Sequence, residues 1–474
     1  MKKVVKKSWL LITYIIIFLT ACNSRVDWSY KDKILRQIKE PVFSDRVFDI
    51  RDFGAIGDGK ADCSDAFKKA IDRCNREGGG KVVVKDGVYL TGAIHLKSKV
   101  NLYIDSTAKI IFSTDPNKYL PVVYTRFEGV ECMNYSPFIY AYEQKNVAIT
   151  GKGVLDGQAN NADWWKWTGN KKYGWEEGMP IQIRDRDNLF QMAEDGIPVE
   201  ERVFGAGHYI RTNFIQFYKC ENVLIEGIKV INSPMWNIHP VLSRNVIIRN
   251  VKVVSHGPNN DGCNPESSKN VLIEKCFFNT GDDCIAIKSG RNADGRRINT
   301  PSENIIVRNC TMRDGHGGVV VGSEMTGGVR NVFVENCIMD SPNLNRALRI
   351  KTNSRRGGIV ENIFAKDLTV GEVSDAVIKI NFFYGEGDVG EFTPIVRNIF
   401  IENLTSKKSK YALYIKAYKR SPVDNINLKN CRFDGVEREN VIVNVTNMNL
   451  DEVYINGRVF LGYMMLPYLL SFLE

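Results

Sequence analysis

The amino-acid sequence predicts an all-β fold, a right-handed parallel β-helix with a short capping helix at its N-terminal end, and three observations carry that prediction. An Asn followed by mostly β-branched apolar residues recurs as NVAITGKGV from Asn146, NVLIEGIKV from Asn222, NVIIRNVKV from Asn245, NVLIEKCFF from Asn270, NIIVRNCTM from Asn304, NVFVENCIM from Asn331, NIFAKDLTV from Asn362, NIFIENLTS from Asn398 and NINLKNCRF from Asn425. From Asn222 onward the units lie 23, 25, 34, 27, 31, 36 and 27 residues apart, the period of a solenoid whose coils hold too little apolar surface to fold alone. Cys276, Cys310, Cys337 and Cys431 each fall six residues after their repeat Asn, so stacking aligns them in one column. That column reads as buried free thiols; without a Cys-x-x-Cys pair, zinc has little support. The Leu-x-x-Leu-x-Leu pattern of leucine-rich repeats is missing.

The elements follow in chain order. Lys2, Lys3, Lys6 and Lys7 precede an apolar run from Trp9 to Leu19, and Leu19-Thr20-Ala21-Cys22 follows. Eleven residues are short for a membrane span, and the pattern resembles a bacterial lipoprotein signal covering residues 1–21, with Cys22 as the lipidated residue. No acidic cluster follows Cys22, so the anchored protein is expected in the cell envelope, on the periplasmic side of the outer membrane. Residues 22–47 read as a linker and 48–458 as one β-helix catalytic domain. Within it, Asp62 to Glu77 reads as a helix with Ser64 as N-cap and Gly78-Gly79-Gly80 as its end. This helix is expected to cover the open end of the solenoid. Strands are expected at Lys81 to Val84, Val88 to Leu90, Val100 to Ile104 and Lys109 to Phe112.

Residues 157–220 break the rhythm with a polar, aromatic insertion containing Trp164, Trp165, Trp167, Trp175, His208 and Tyr209. Long loops in compact domains are usually functional or disordered; this one is expected to wall the binding groove, with aromatic rings at its mouth for sugar faces. Residues 459–474 form a hydrophobic tail with no assigned role.

The formal net charge is +9, and without residues 1–21, which carry four lysines and no acid, it is +5. Such a chain suits a polyanionic partner. Scattered basic residues and the lack of a binding motif exclude nucleic acid.

Four polar motifs lie just beyond successive repeat units: Asn259-Asn260-Asp261, Gly281-Asp282-Asp283, Gly315-His316-Gly317 and Arg349-Ile350-Lys351. Asp282 is 12 residues past Asn270 and His316 is 12 past Asn304, which puts both on one edge of neighbouring coils. With coils about 4.8 Å apart, carboxylates on adjacent rungs suit the roughly 6.5–9.5 Å separation of an inverting glycosidase; counting alone leaves the roughly 5 Å of a retaining one open. Three clustered carboxylates do not all ionise cheaply, so one is available as a proton donor while others activate water. Arg349 and Lys351 flank Ile350, share one strand face and suit a uronic acid carboxylate. Singly, each motif is an ordinary turn or strand face; four in order on consecutive coils make a site.

At these residues the chain resembles glycoside hydrolase family 28, the polygalacturonase family, over Phe48 to about Val459. The resemblance implies inverting hydrolysis of α-1,4-linked galacturonic acid without metal or other cofactor. Asp282 is then the general acid, Asp261 and Asp283 activate water, His316 tunes the acid, and Arg349, Lys351, Asn259 and Tyr384 contact substrate. Asn260 departs from the family's usual Thr. The insertion resembles loops that close the cleft in exo-acting members, so the expected activity is release of galacturonic acid from the ends of pectic polysaccharide or oligogalacturonides by a monomer. The alternatives are an endo-polygalacturonase, a rhamnogalacturonan or xylogalacturonan hydrolase, a Ca²⁺-dependent pectate lyase, and a non-catalytic pectin-binding solenoid.

Overall fold

Every repeat Asn takes a left-handed backbone conformation, with φ between +54° and +60° from Asn146 through Asn425, and this local fact organises the architecture. The computed structural model describes residues 26–462. The proposed signal, the Cys22 lipidation site and residues 463–474 lie outside the described residues. Left-handed φ is uncommon for residues other than Gly, and Asn is among the side chains that tolerate it best. Five residues later a second left-handed position turns the chain again, as Gly227, Asn250, Lys275, Asn309, Asn336, Asp367, Asn403 and Asn430. Each coil is therefore bent at two fixed points.

The bends define three faces of a right-handed parallel β-helix. The first runs in unbroken parallel register from Val47–Asp49 through Glu221–Glu226 and Lys269–Glu274 to Val445–Ile455. The second includes Ala108–Phe112, Lys229–Ile231, Lys252–Ser255 and Phe277–Thr280. The third stacks Ile215–Tyr218 and Ile238–Val241, then passes through Cys263 to Ile285–Ile287, Val319–Val321, Arg346–Lys351, Ala376–Asn381 and Tyr411–Lys416. The expected N-terminal strands form at Gly80–Val84, Gly87–Thr91, Val100–Ile104 and Ala108–Phe112.

The left-handed asparagines are joined into a ladder. Asn222 donates to Asn146, Asn245 to Asn222, Asn270 to Asn245, Asn304 to Asn270, Asn331 to Asn304, Asn362 to Asn331, Asn398 to Asn362 and Asn425 to Asn398, all Nδ2 to Oδ1 at 2.8–3.2 Å. Asn304→Ala removes two rungs and forces Ala into the left-handed region. It is expected to cost about 2 kcal/mol, read as a lowered midpoint of thermal unfolding. Asn304→Gly keeps the backbone conformation and is expected to cost less; equal losses from both would refute the backbone contribution.

Inside, Cys276, Cys310, Cys337 and Cys431 are free and buried, as the column predicts. Helix α1 (Tyr30–Gln37) lies within the stretch expected as a linker and instead docks outside the solenoid. Its Ile34 packs with Leu272, Ile306, Phe333 and Phe364, and Lys31 pairs with Glu335 at 2.7 Å. Helix α2 (Ser64–Arg76) caps the N-terminal end, burying Ala66, Phe67, Ala70, Ile71 and Cys74. Ser64 is its first helical residue rather than its N-cap: the Ser64 amide and hydroxyl both donate to Asp62 Oδ1, and the Ser64 hydroxyl accepts from the Gly92 amide at 2.8 Å.

Candidate active site

The first three motifs occupy the connections between the second and third faces. Asn259–Asp261 follows Lys252–Ser255, Gly281–Asp283 follows Phe277–Thr280, and Gly315–Gly317 follows Thr311–Met312; Arg349 and Lys351 lie on the third face itself. Here the connections must pack tightly against one another, and a Cβ on Gly281 would overlap the Gly257 carbonyl of the coil below.

Asp283 is fully buried, and Lys351 Nζ donates to its Oδ2 at 2.7 Å. Its Oδ1 lies 3.5 Å from Arg349 Nη1 and has no hydrogen-bond partner. The Arg349 guanidinium and Lys351 ammonium also sit 5.3 and 5.2 Å from the Tyr384 ring centre, which brings Tyr384 into the constellation. Asp282 stands at the rim, accepting from His316 Nδ1 at 2.9 Å, while His316 is exposed. Asp261 is buried and accepts from Asn264 Nδ2 at 2.6 Å.

The carboxylates differ electrostatically. Burial, then the Asp282 charge, pushes Asp261 well above the usual carboxylate range, against the pull of Lys288. Burial would raise Asp282 too, but the hydrogen bond and charge of His316, with Lys351 and Lys288, outweigh it and hold Asp282 below its ordinary value. His316 is raised by its hydrogen bond to Asp282 and by the charges of Asp282 and Asp283. The surroundings therefore favour a proton on Asp261 and on His316 and the ionised form of Asp282.

Sequence reasoning missed Lys288. Its ammonium is buried, 3.6 Å from Asp261 Oδ2, 2.9 Å from Glu324 Oε2 and 4.5 Å from the Trp236 ring centre. Burial alone would favour its neutral form, but Glu324, Asp261 and Asp283 raise it well above the ordinary lysine value. The signal was a single charge ending the apolar run Cys284–Ile287.

The insertion holds this edge of the site. The buried Arg211 guanidinium donates to Asn259 Oδ1 at 2.7 Å and to the Pro258 and Pro234 carbonyls. Asn259 is thereby held in place through its side-chain oxygen. Asn260 is buried and ties down the same loop, its Oδ1 accepting from Ser255 Oγ and the Gly257 amide, its Nδ2 donating to the Ser233 and Met235 carbonyls. Trp165 donates to the Ser233 carbonyl and lies over Gly257, where any Cβ would overlap its indole. Helix α3 (Gln182–Glu194), unexpected from sequence, sets Phe190 4.1 Å from the Arg291 guanidinium. The aromatic rings correct one expectation: Trp164 and Trp167 are buried in the main core, stacked edge-on with Tyr119, Phe138 and Tyr209. They anchor the insertion and do not line a groove.

Comparison with known proteins gives this arrangement a family. A model of glycosyl hydrolases family 28 matches residues 206–452, more than half of the chain. The chain belongs to that family. It is a glycoside hydrolase. It is 52% identical to an exopolygalacturonase from Thermotoga maritima whose crystal structure superposes with a TM-score of 0.89, covering 91% of this chain and 96% of that one. A probable polygalacturonase of Vitis vinifera is 27% identical, over 84% of this chain and 77% of its own length. The exo-poly-α-D-galacturonosidase of Dickeya chrysanthemi is also 27% identical, over 74% of this chain and 59% of its own length. A polygalacturonase structure from Erwinia carotovora, 20% identical with a TM-score of 0.60 over 88% of this chain and 98% of that one, shares the fold.

Proposed function

We propose that this glycoside hydrolase is an exo-acting polygalacturonase that releases galacturonic acid from the ends of pectic chains by inverting hydrolysis. The observation that carries the reading is the pair Arg349 and Lys351 set beside three carboxylates: two fixed cations serve no purpose for a neutral sugar and match a galacturonate carboxylate. The 52% identical exopolygalacturonase supports the exo mode, as does the wall that Arg211, Trp165 and α3 build at one end of the site.

Asp282 is the proton donor to the leaving oxygen. His316 supplies its proton, and a galacturonate bound at Lys351 adds negative charge that raises the proton affinity of Asp282 during turnover. Asp283 Oδ1, a buried carboxylate oxygen with no donor of its own, is placed to orient the attacking water, with Asp261 as the second base. Asn259 and Tyr384 border the bound sugar. The kcat/KM profile is expected to be a bell. Its acid limb rises as the elevated Asp261 loses its proton; its alkaline limb falls above pH 6.5 as the raised His316 loses its own. In His316→Asn the alkaline limb should shift; a superimposable profile would refute the proton-sharing role.

The deciding assay is polygalacturonic acid in EDTA with products resolved over time. Galacturonic acid as the sole early product is expected, and mid-chain fragments in the first minutes would defeat the exo reading. We also propose that the protein is a monomer, anchored through Cys22 in the cell envelope on the periplasmic side of the outer membrane after loss of residues 1–21. The sequence pattern supports the anchor; labelled fatty acid incorporated into the full chain and lost in Cys22→Ala would test it, and light scattering would test the monomer.

A further inference from the structure

The outward-facing columns of the third face run on beyond the catalytic carboxylates. Arg349 is followed in register by Lys379 and Tyr414, and Lys351 by Asn381 and Lys416. Cations exceed acids along this stretch. Arg346 and Lys379 share one carboxylate, Asp375, at 2.6 and 2.7 Å. Burial, with the charges of Arg346 and Arg349, keeps the Lys379 ammonium below the usual lysine range despite that carboxylate. Lys416 meets no carboxylate among the described residues; its ammonium lies 4.7 Å from the centre of the Phe383 ring. Phe383 immediately precedes Tyr384 in the chain; its ring packs edge-on with Tyr418 at 4.9 Å and keeps 38% of its surface exposed beside Lys416.

Direction follows from the walls. The N-terminal side of the site is closed by Arg211 and Trp165 against the Asn259 loop, whereas Lys379, Lys416 and Phe383 lie on its C-terminal side. An enzyme that takes one unit into the closed end must lay the rest of the chain towards the C-terminal coils. Two strand spacings, about 10 Å, separate Lys351 from Lys416, a reach suited to the units that follow the one held at Arg349 and Lys351.

We propose that Lys416 and Phe383, with Lys379 behind them, form a further subsite for a galacturonate unit of the departing chain. The carboxylate pairs with Lys416 and the apolar face of the sugar lies on Phe383. The inference rests on the exo-polygalacturonase reading.

The test is kcat/KM of the full chain on di-, tri- and tetragalacturonate with every product resolved. The wild type is expected to gain roughly tenfold between dimer and tetramer, the value of one exposed charge-assisted contact. Lys416→Glu and Phe383→Ala are each expected to remove most of that gain, and Lys416→Arg to keep it. The subsite is overturned if the wild type releases only galacturonic acid and the gain is absent, survives in Lys416→Glu, or is preserved because dimer and tetramer fall equally. Mid-chain products from the wild type would overturn the exo reading itself, and the subsite with it.

Discussion

Asp282→Asn is expected to slow hydrolysis of oligogalacturonides by roughly 10³- to 10⁴-fold, the upper range for loss of a general acid, while leaving the fold intact. The carboxamide matches the carboxylate in size and still meets His316, but it has no proton to give the leaving oxygen. The Asp282 charge is favoured in the fold by His316, Lys351 and Lys288, so its loss should lower the thermal midpoint slightly at neutral pH, offset in part by relieved repulsion with Asp261. The decisive comparison is an aryl galacturonide with a good leaving group, which needs little protonation. The defect should shrink sharply on that substrate, and an equal defect on both would remove Asp282 from the donor role.

Lys351→Met carries the second largest effect, because the same ammonium serves substrate and fold. It is buried, and its bond to Asp283 at 2.7 Å is the closest cation to that carboxylate. Burial would depress Lys351, yet Asp283 raises it above its ordinary value, so the ammonium keeps its charge. Removing one member of a buried pair strands the other, at about 3 kcal/mol, and a clear drop in unfolding midpoint is expected. On galacturonides kcat/KM should fall by about 10³, from lost carboxylate binding and a misplaced Asp283. A galactoside lacking the carboxylate should lose less; losses of the same size on both would mean that Lys351 only supports the fold.

Much of this was legible in the sequence. The repeat Asn and its apolar followers located the strands, because a parallel solenoid writes each coil as a local segment. The motifs were legible for the same reason: Asp261, Asp282 and His316 each sit a short, countable distance past a repeat. Lys288 was not, since its roles depend on Glu324 one coil away and Asp261 one coil back, partners that no local spacing joins. The tryptophans failed differently. Trp164 and Trp167 are adjacent to the exposed-looking polar stretch around Asn160 and Asn161, and composition alone does not say which rings an insertion turns inward. Helix α1 escaped because eight residues with one buried Ile make a weak pattern; its docking is decided by the aromatic row of Phe333 and Phe364, which the repeat presents on the outside.

The asparagine ladder also sets a rule for change. Between each repeat Asn and the second bend the count is fixed at five, and a residue added there would throw a strand out of register and unhook the side chain below. All variation in coil length, from 23 residues to the 76 between Asn146 and Asn222, must therefore be absorbed by the remaining connections, and those are where the carboxylate motifs and the large insertion reside. The scaffold is metrically rigid and the working edge is elastic, so new substrates can be accommodated by lengthening a loop while the helix beneath it keeps its count.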